Sequence, residues 1–184
     1  AMGWSGLAST LTYMSTIVGN ILVARALGPS TLGSITYLVW LLGVISQLTP
    51  LGIPYATQVY VGARMAQGHE QEARRVHRLG VWMVGLLALL SATIWLFFAR
   101  QVLPPEGGPA YVVVSVLLLL AAPLHSVMSA RAAGNLDYRL IGRVENVSSA
   151  GWLALAAIAC YTSSPLIALT AYAARQVIPT TLWL

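Results

Sequence analysis

The 184-residue sequence is 58% hydrophobic and only 8% charged, with a formal net charge of +5 and a mean hydropathy of +0.76. Soluble domains carry about 25% charged residues, so this composition excludes a soluble globular protein and indicates an integral membrane protein. The lone Cys160 excludes a disulfide within the chain. Because neither a metal-ligand spacing nor a phosphate-binding glycine loop occurs, we predict no metal, no cofactor and no enzyme activity.

Apolar segments near the length of about 20 residues that a helix needs to cross a bilayer recur along the whole chain. The six predicted spans cover residues 5–27, 34–61, 79–99, 110–130, 147–161 and the stretch after Pro165. The predicted fold is therefore all-α, a polytopic membrane protein with about six transmembrane helices. Since the sequence starts without a preceding loop and ends in apolar residues, we expect residues 1–184 to form a single membrane domain of a longer protein.

The connections between the predicted spans differ in charge. Seven arginines lie in residues 64–78 and 131–143, namely Arg64, Arg74, Arg75, Arg78, Arg131, Arg139 and Arg143. The positive-inside rule places these two connections and the N-terminus in the cytoplasm, and residues 100–109 and 163–165 outside. We expect His69 and His77 to be surface residues of the first basic connection. No acidic residue falls within a predicted span.

The first predicted span carries a polar stripe and ends in an arginine. Thr12, Thr16 and Asn20 share one helical face, which can line a cavity or pack against a neighbouring helix. Asn20 is a candidate substrate-binding residue. Arg25 lies away from this stripe near the outer end, so it either reaches into an interior space or extends to the membrane interface, where it would meet headgroup phosphates.

The second predicted span contains two prolines that must disturb its hydrogen bonding. We predict that Pro50 and Pro54 form a hinge in a bent helix, with Gln47 and Gln58 on the proline face together with Leu51. Such a bend can face a water-filled cavity, in which case both amides are candidate substrate-binding residues, or it can serve packing alone.

The fourth and sixth predicted spans contain ionisable residues. Pro123 predicts a kink, and His125 is either functional or hydrogen-bonded to Ser126, Ser129 or the bent backbone. Arg175 lies in the middle of the sixth span, where desolvation costs at least about 2.5 to 3.5 kcal/mol. Water, an anion or a partner must compensate for this cost. With no carboxylate in any predicted span, the interior would be electropositive, which favours an anionic substrate because the guanidinium suits phosphate.

The motif Arg-x-Leu-Gly-Pro-x-x-x-Gly stands at residues 25–33. It resembles the end of the first helix in the polysaccharide and O-antigen flippases of the multidrug/oligosaccharidyl-lipid/polysaccharide exporter superfamily. The resemblance continues at residues 50–54 and more weakly at residues 130–143. It implies a two-lobed helical carrier of which this chain is the N-terminal lobe, and it matches only Arg25 to the basic cavity residues of that family.

The resemblance implies a function, a location and partners. Such carriers flip lipid-diphosphate-linked oligosaccharides across the bacterial cytoplasmic membrane by alternating access, for surface polysaccharide synthesis. The implied partners are an anionic lipid-linked oligosaccharide, the lipid bilayer and a missing C-terminal lobe, with no nucleic acid. The alternatives are a multidrug exporter of the same superfamily, which would need acidic residues in its spans, a non-transport scaffold or assembly protein and, as a weak further class, an intramembrane enzyme.

Overall fold

A computed structural model describes residues 2–103 and 108–183, with side chains described from Thr10 onward. Its helices are α1 (Met2–Leu48), α2 (Ile53–Ala66), α3 (Glu70–Val102), α4 (Pro109–Gly134), α5 (Tyr138–Thr162) and α6 (Pro165–Trp183). Within the described residues there is no β-strand, which confirms the all-α class. Three helical segments, Thr10–Leu48, Glu70–Val102 and Pro109–Gly134, are long and apolar enough to cross a membrane.

Helix α1 bends sharply at Gly28, which divides it into a first limb, residues 2–27, and a second limb, residues 29–48. Gly28 has φ 72° and ψ 168°, a conformation open essentially to glycine alone, and Pro29 starts the second limb with a fixed φ. Val23 and Ile35, from opposite sides of the bend, belong to one buried cluster that also contains Ala156. The chain therefore reverses direction at the turn that was predicted between the first two spans.

The second predicted span is broken rather than bent. The helix ends at Leu48 and resumes at Ile53, and the intervening turn has Leu51 at φ 45° and Gly52 at φ 78°. Pro50 is buried in this turn, and Pro54 occupies the first turn of α2, where its missing N–H costs nothing. The break agrees with the predicted proline hinge.

The predicted proline face across this break is wrong. Gln47 and Gln58 were expected to share one helical face through Leu51, but Leu51 lies in the turn and so no continuous face joins them. Gln47 is exposed and Gln58 is half-buried. The hydroxyl of Thr49 lies 2.9 Å from that of Ser91, which fixes the end of the second limb against α3.

Helices α4, α5 and α6 form the centre of an antiparallel bundle, and the other helices pack against them. Helix α5 lies against the first limb of α1 and against α6, while α4 contacts α2, α3 and α6. Helices α2 and α4 approach closely at Gly62 and Gly134, where a Cβ atom on Gly134 would lie 2.8 Å from the Gln58 carbonyl oxygen. The connections at residues 67–69 and 135–137 mark one end of the bundle, which we call the basic end because the seven arginines of the predicted cytoplasmic connections lie in or near them.

Helix α5 starts well before the predicted fifth span. Asp137 caps it, with its Oδ1 atom accepting a hydrogen bond from the backbone N–H of Leu140 at 3.1 Å. The helix therefore begins at Tyr138, nine residues before the predicted start at Val147. This places Glu145 inside the helix, contrary to the expectation that all acidic residues lie in the connections.

Candidate functional site

Polar and aromatic side chains from four helices meet inside the bundle. We call them the polar cluster, and its members are Asn20 of α1, His125 of α4, Glu145 and Trp152 of α5, and Tyr172 and Arg175 of α6. Three of the predicted site residues, Asn20, His125 and Arg175, are thus brought together. Because polar side chains in the interior of a membrane bundle are costly, such a cluster is a candidate for substrate binding or ion coupling.

Trp152 contacts both α1 and α6 in the outer part of the polar cluster, which consists of Asn20, Trp152 and Tyr172. Its indole is fully buried and lies against Gly19, and its Nε1 donates a hydrogen bond to the Ser15 carbonyl oxygen at 3.0 Å. Its ring centroid is 4.6 Å from that of Tyr172, and the Tyr172 hydroxyl donates to Oδ1 of Asn20 at 2.7 Å. This chain of contacts fixes α1, α5 and α6 relative to one another.

The polar stripe predicted on the first limb has more than one role. Thr12 lies 3.3 Å from the Ser149 hydroxyl on α5, while the Thr16 hydroxyl donates to the Thr12 carbonyl oxygen of its own helix. Asn20 is exposed apart from its bond to Tyr172. The two threonines therefore serve packing and local hydrogen bonding, whereas the Asn20 amide lies beside an accessible surface.

His125 and Glu145 form the inner part of the polar cluster. The Nε2 atom of His125 lies 3.3 Å from Oε1 of Glu145, and their side chains are 15% and 33% exposed. Ser126 and Ser129, the expected partners of His125, instead donate to backbone carbonyl oxygens of α4. The expected hydrogen bond from His125 to Ser126, Ser129 or the bent backbone is therefore absent among the described residues, and its partner comes from another helix.

Arg175 lies between these two parts of the polar cluster. Its side chain is half-buried, and its backbone carbonyl accepts a hydrogen bond from the Ser148 hydroxyl at 2.8 Å. Its positive charge acts on both Glu145 and Tyr172, yet Arg175 forms no ion pair within residues 2–103 and 108–183. The interior was expected to be electropositive, and Glu145 offsets part of this positive charge.

The other predicted site residues lie away from the polar cluster. Arg25 is exposed near the bend of α1, and Gln47 is exposed at the end of the second limb. Gln58 faces the close approach of α2 and α4. Pro123 is buried in α4, and its carbonyl oxygen accepts a hydrogen bond from Ser126, which is compatible with the predicted kink. None of these residues is hydrogen-bonded to a candidate substrate-binding side chain of the polar cluster within the described part of the chain.

Sequence reasoning missed Glu145 and Trp152. Glu145 falls two residues before the fifth predicted span, although the cap at Asp137 would have placed it in a helix. Trp152 gave no signal in a run of apolar residues, and its importance depends on a glycine 133 positions earlier in the chain. His77 was expected on the surface, but it is half-buried and lines a cavity together with Arg131. Among the described residues, no group of three His, Cys, Asp or Glu side chains is arranged to hold a metal ion.

Comparison with known proteins identifies the family from the first part of the chain. No curated protein and no solved structure matches the chain. The MatE family model matches residues 5–112, which extend from α1 into the first turn of α4 and include Asn20 but not His125 or Arg175. This match covers more than half of the chain, so the protein belongs to the MatE family and is a multi-pass membrane transporter of the multidrug/oligosaccharidyl-lipid/polysaccharide exporter superfamily.

Proposed function

We propose that this chain is the N-terminal lobe of a flippase for lipid-diphosphate-linked oligosaccharide in the bacterial cytoplasmic membrane. It works by alternating access with a C-terminal lobe and serves surface polysaccharide synthesis. The N-terminus and the basic end face the cytoplasm, where the lipid-linked substrate is made. The motif at residues 25–33 and the half-buried Arg175 of α6 support this assignment.

The observation that carries the proposal is the environment of Arg175. Its guanidinium is half-buried in a bundle of transmembrane helices and lacks an ion-pair partner in the described part of the chain. A buried charge without a partner is costly, and a diphosphate would supply two charged oxygens in the planar geometry that arginine prefers. Asn20 and Tyr172, which are hydrogen-bonded to each other nearby, can contact sugar hydroxyls.

Arg25 has a different place in this proposal. It is exposed at the outer end of the first limb, about one and a half helical turns beyond Asn20. There it can receive the diphosphate once the substrate has crossed. We therefore assign the first contact with the diphosphate to Arg175.

The test uses the full-length protein in a strain whose own copy is deleted, with surface polysaccharide as the measurement. Arg175→Gln is expected to lower surface polysaccharide by about tenfold or more, the loss that follows from removing a charged hydrogen bond. Arg175→Lys keeps the charge without the planar fork and is expected to retain part of the activity. Arg100→Gln, an exposed arginine at the end of α3, is the matched control. Normal polysaccharide in Arg175→Gln at a normal protein level would contradict the proposal.

A proton-coupled drug exporter is the second candidate, and Glu145 is the observation that favours it. This carboxylate lies within α5 and pairs with His125, so the polar cluster includes an acidic residue that the sequence analysis had not assigned to it. Glu145→Gln keeps a hydrogen-bonding group beside His125 but removes the negative charge. For the exporter, this change abolishes resistance to cationic drugs. For the flippase, it leaves Arg175 with a larger net positive field and does not weaken binding of the anionic substrate.

A further inference from the structure

A second polar site lies at the basic end, separate from the polar cluster. It is an open cavity of about 370 Å³ lined by residues of α3, α4, the start of α5 and the end of α6, and Arg131, Asn135, Asp137 and Leu140 are exposed. Its volume falls within the range of about 300 to 1,000 Å³ that is typical of small-molecule sites. The polar residues that line it are His77, Arg131, Asn135 and Asp137, and the apolar lining includes Met128, Leu140 and Trp183.

The cavity contains one fixed positive and one fixed negative side chain that do not pair with each other. Arg131 and Asp137 both line it, yet neither forms an ion pair with any residue that the structure describes. Oδ1 of Asp137 accepts from the Leu140 N–H, which leaves its second oxygen available. Burial and the positive charge of Arg131 lower the pKa of His77, which precedes the predicted third span. The cavity therefore suits a ligand that carries both charges.

Two ring nitrogens in the cavity wall also lack partners. Nδ1 of His77 and Nε1 of Trp183 are buried, and neither has a hydrogen-bond partner among the described residues. Buried polar atoms without partners are rare because each costs about 1 to 3 kcal/mol. The indole N–H of Trp183 can only donate, so it needs an acceptor that the described residues do not supply.

We infer that this cavity binds a phosphoethanolamine group. Arg131 donates hydrogen bonds to the phosphate, and the free oxygen of Asp137 accepts one from the ammonium. Arg131 lies three residues before the end of α4, at the level where the arginine-rich connections place the cytoplasmic membrane surface. A phosphatidylethanolamine headgroup at this level can enter from the side, while Met128 and Leu140 contact its glycerol region. This site does not depend on which substrate the transporter carries.

The experiment measures lipid retention by native mass spectrometry on the full-length protein. The lipid probes are phosphatidylethanolamine, phosphatidylcholine and phosphatidylglycerol, and the soluble probe is phosphoethanolamine. Wild-type protein is expected to prefer the ethanolamine lipid by about tenfold, because the trimethylated headgroup cannot donate to Asp137 and the glycerol headgroup has no positive charge. Equal retention of the three lipids, without binding of soluble phosphoethanolamine, would overturn the inference. Binding of the soluble compound would assign the same site to a free ligand.

Two variants separate the two halves of the ligand. Asp137→Asn keeps the oxygen that caps α5, so the fold is preserved, and it is expected to remove the preference for ethanolamine over choline. Arg131→Gln is expected to weaken retention of all three lipids. Glu70→Gln and Arg74→Gln alter an exposed ion pair at the same end of the bundle and should change nothing. A preference for ethanolamine that survives Asp137→Asn would overturn the inference, whether or not transport is normal. The lipid measurements do not depend on the transport test, so loss of transport in Arg175→Gln should leave the lipid preference unchanged.

Discussion

The Nε2 atom of His125 lies 3.3 Å from the Oε1 atom of Glu145, which joins α4 to α5 in the inner part of the bundle. The other two ion pairs among the described residues, Arg64–Glu72 and Arg74–Glu70, are exposed at the basic end. Arg175 adds a positive charge beside it. The polar cluster therefore contains a carboxylate, an imidazole and a guanidinium.

Removing the Glu145 side chain should destabilise the protein because His125 loses its hydrogen-bond partner. In Glu145→Ala, both ring nitrogens of His125 would be buried without a partner, since Nδ1 already has none among the described residues. We expect a loss of about 1 to 3 kcal/mol in the free energy of unfolding, measured in detergent by thermal or denaturant unfolding. Glu145→Gln should recover most of this loss. Glu70→Ala, which breaks only an exposed ion pair, should cost less than about 1 kcal/mol, and a similar cost for both alanine variants would contradict the role of the pair.

Gly19 is required by the position of Trp152. A Cβ atom at Gly19 would lie 2.6 Å from Cε2 and 2.8 Å from Cζ2 of a fully buried indole, so one helix must move. We expect Gly19→Ala to lower the free energy of unfolding by about 1 to 3 kcal/mol, measured in the same assay. Gly33→Ala is the matched control, because nothing lies within 4 Å of the added Cβ and alanine favours a helix.

A second substitution distinguishes this clash from a general loss of helix stability. Combining Gly19→Ala with Trp152→Leu removes the obstructing ring, so the alanine should then cost little. If the losses in unfolding free energy from the two single substitutions simply add in the double variant, the contact between Gly19 and Trp152 is not the cause of the loss in Gly19→Ala.

Tyr172 and Asn20 should be energetically coupled. Tyr172→Phe keeps the ring contact with Trp152 but removes the hydroxyl that donates to Asn20 at 2.7 Å. We expect a cost of about 0.5 to 1.5 kcal/mol, and a double-mutant cycle with Asn20→Ala should give a coupling energy of similar size. Thr93→Ala, which removes an exposed hydroxyl bonded only to its own helix, is a control for hydroxyl loss. A coupling energy of zero would show that the two side chains do not interact in the membrane.

Local sequence features predicted several elements because their causes lie within a few residues. Gly28 with Pro29 marked the turn between the first two spans, and Pro50 with Pro54 marked the break in the second. Ser163 and Ser164 were assigned to a short turn before Pro165, and α5 ends and α6 begins there. In each case the backbone restriction belongs to the residue itself.

The polar cluster was only partly predictable because its contacts join distant parts of the chain. Asn20, His125 and Arg175 stood out as polar residues in apolar runs, but periodicity cannot show which helix supplies a partner. The pairing of His125 with Glu145 depends on where α5 begins. Because the fifth span was predicted to start at Val147, the Glu145 carboxylate was left outside it. Conversely, Arg25 matched a motif, yet its position near the bend leaves it exposed.

The orientation of the basic end is open to a direct test by cysteine labelling. In a Cys160→Ala background, the exposed positions Gln71 and Ser163 lie at opposite ends of the bundle, so each can be replaced singly by cysteine. We expect Ser163→Cys to react with a membrane-impermeant maleimide in intact cells and Gln71→Cys to react only after the membrane is opened, because the arginines retain residues 64–78 in the cytoplasm. Labelling of Gln71→Cys in intact cells would show that the basic end faces the outside, opposite to the prediction. It would then place the phosphoethanolamine cavity at the outer surface and Arg175 nearer to the outer leaflet, so this measurement also fixes the direction in which the proposed substrate meets the polar cluster.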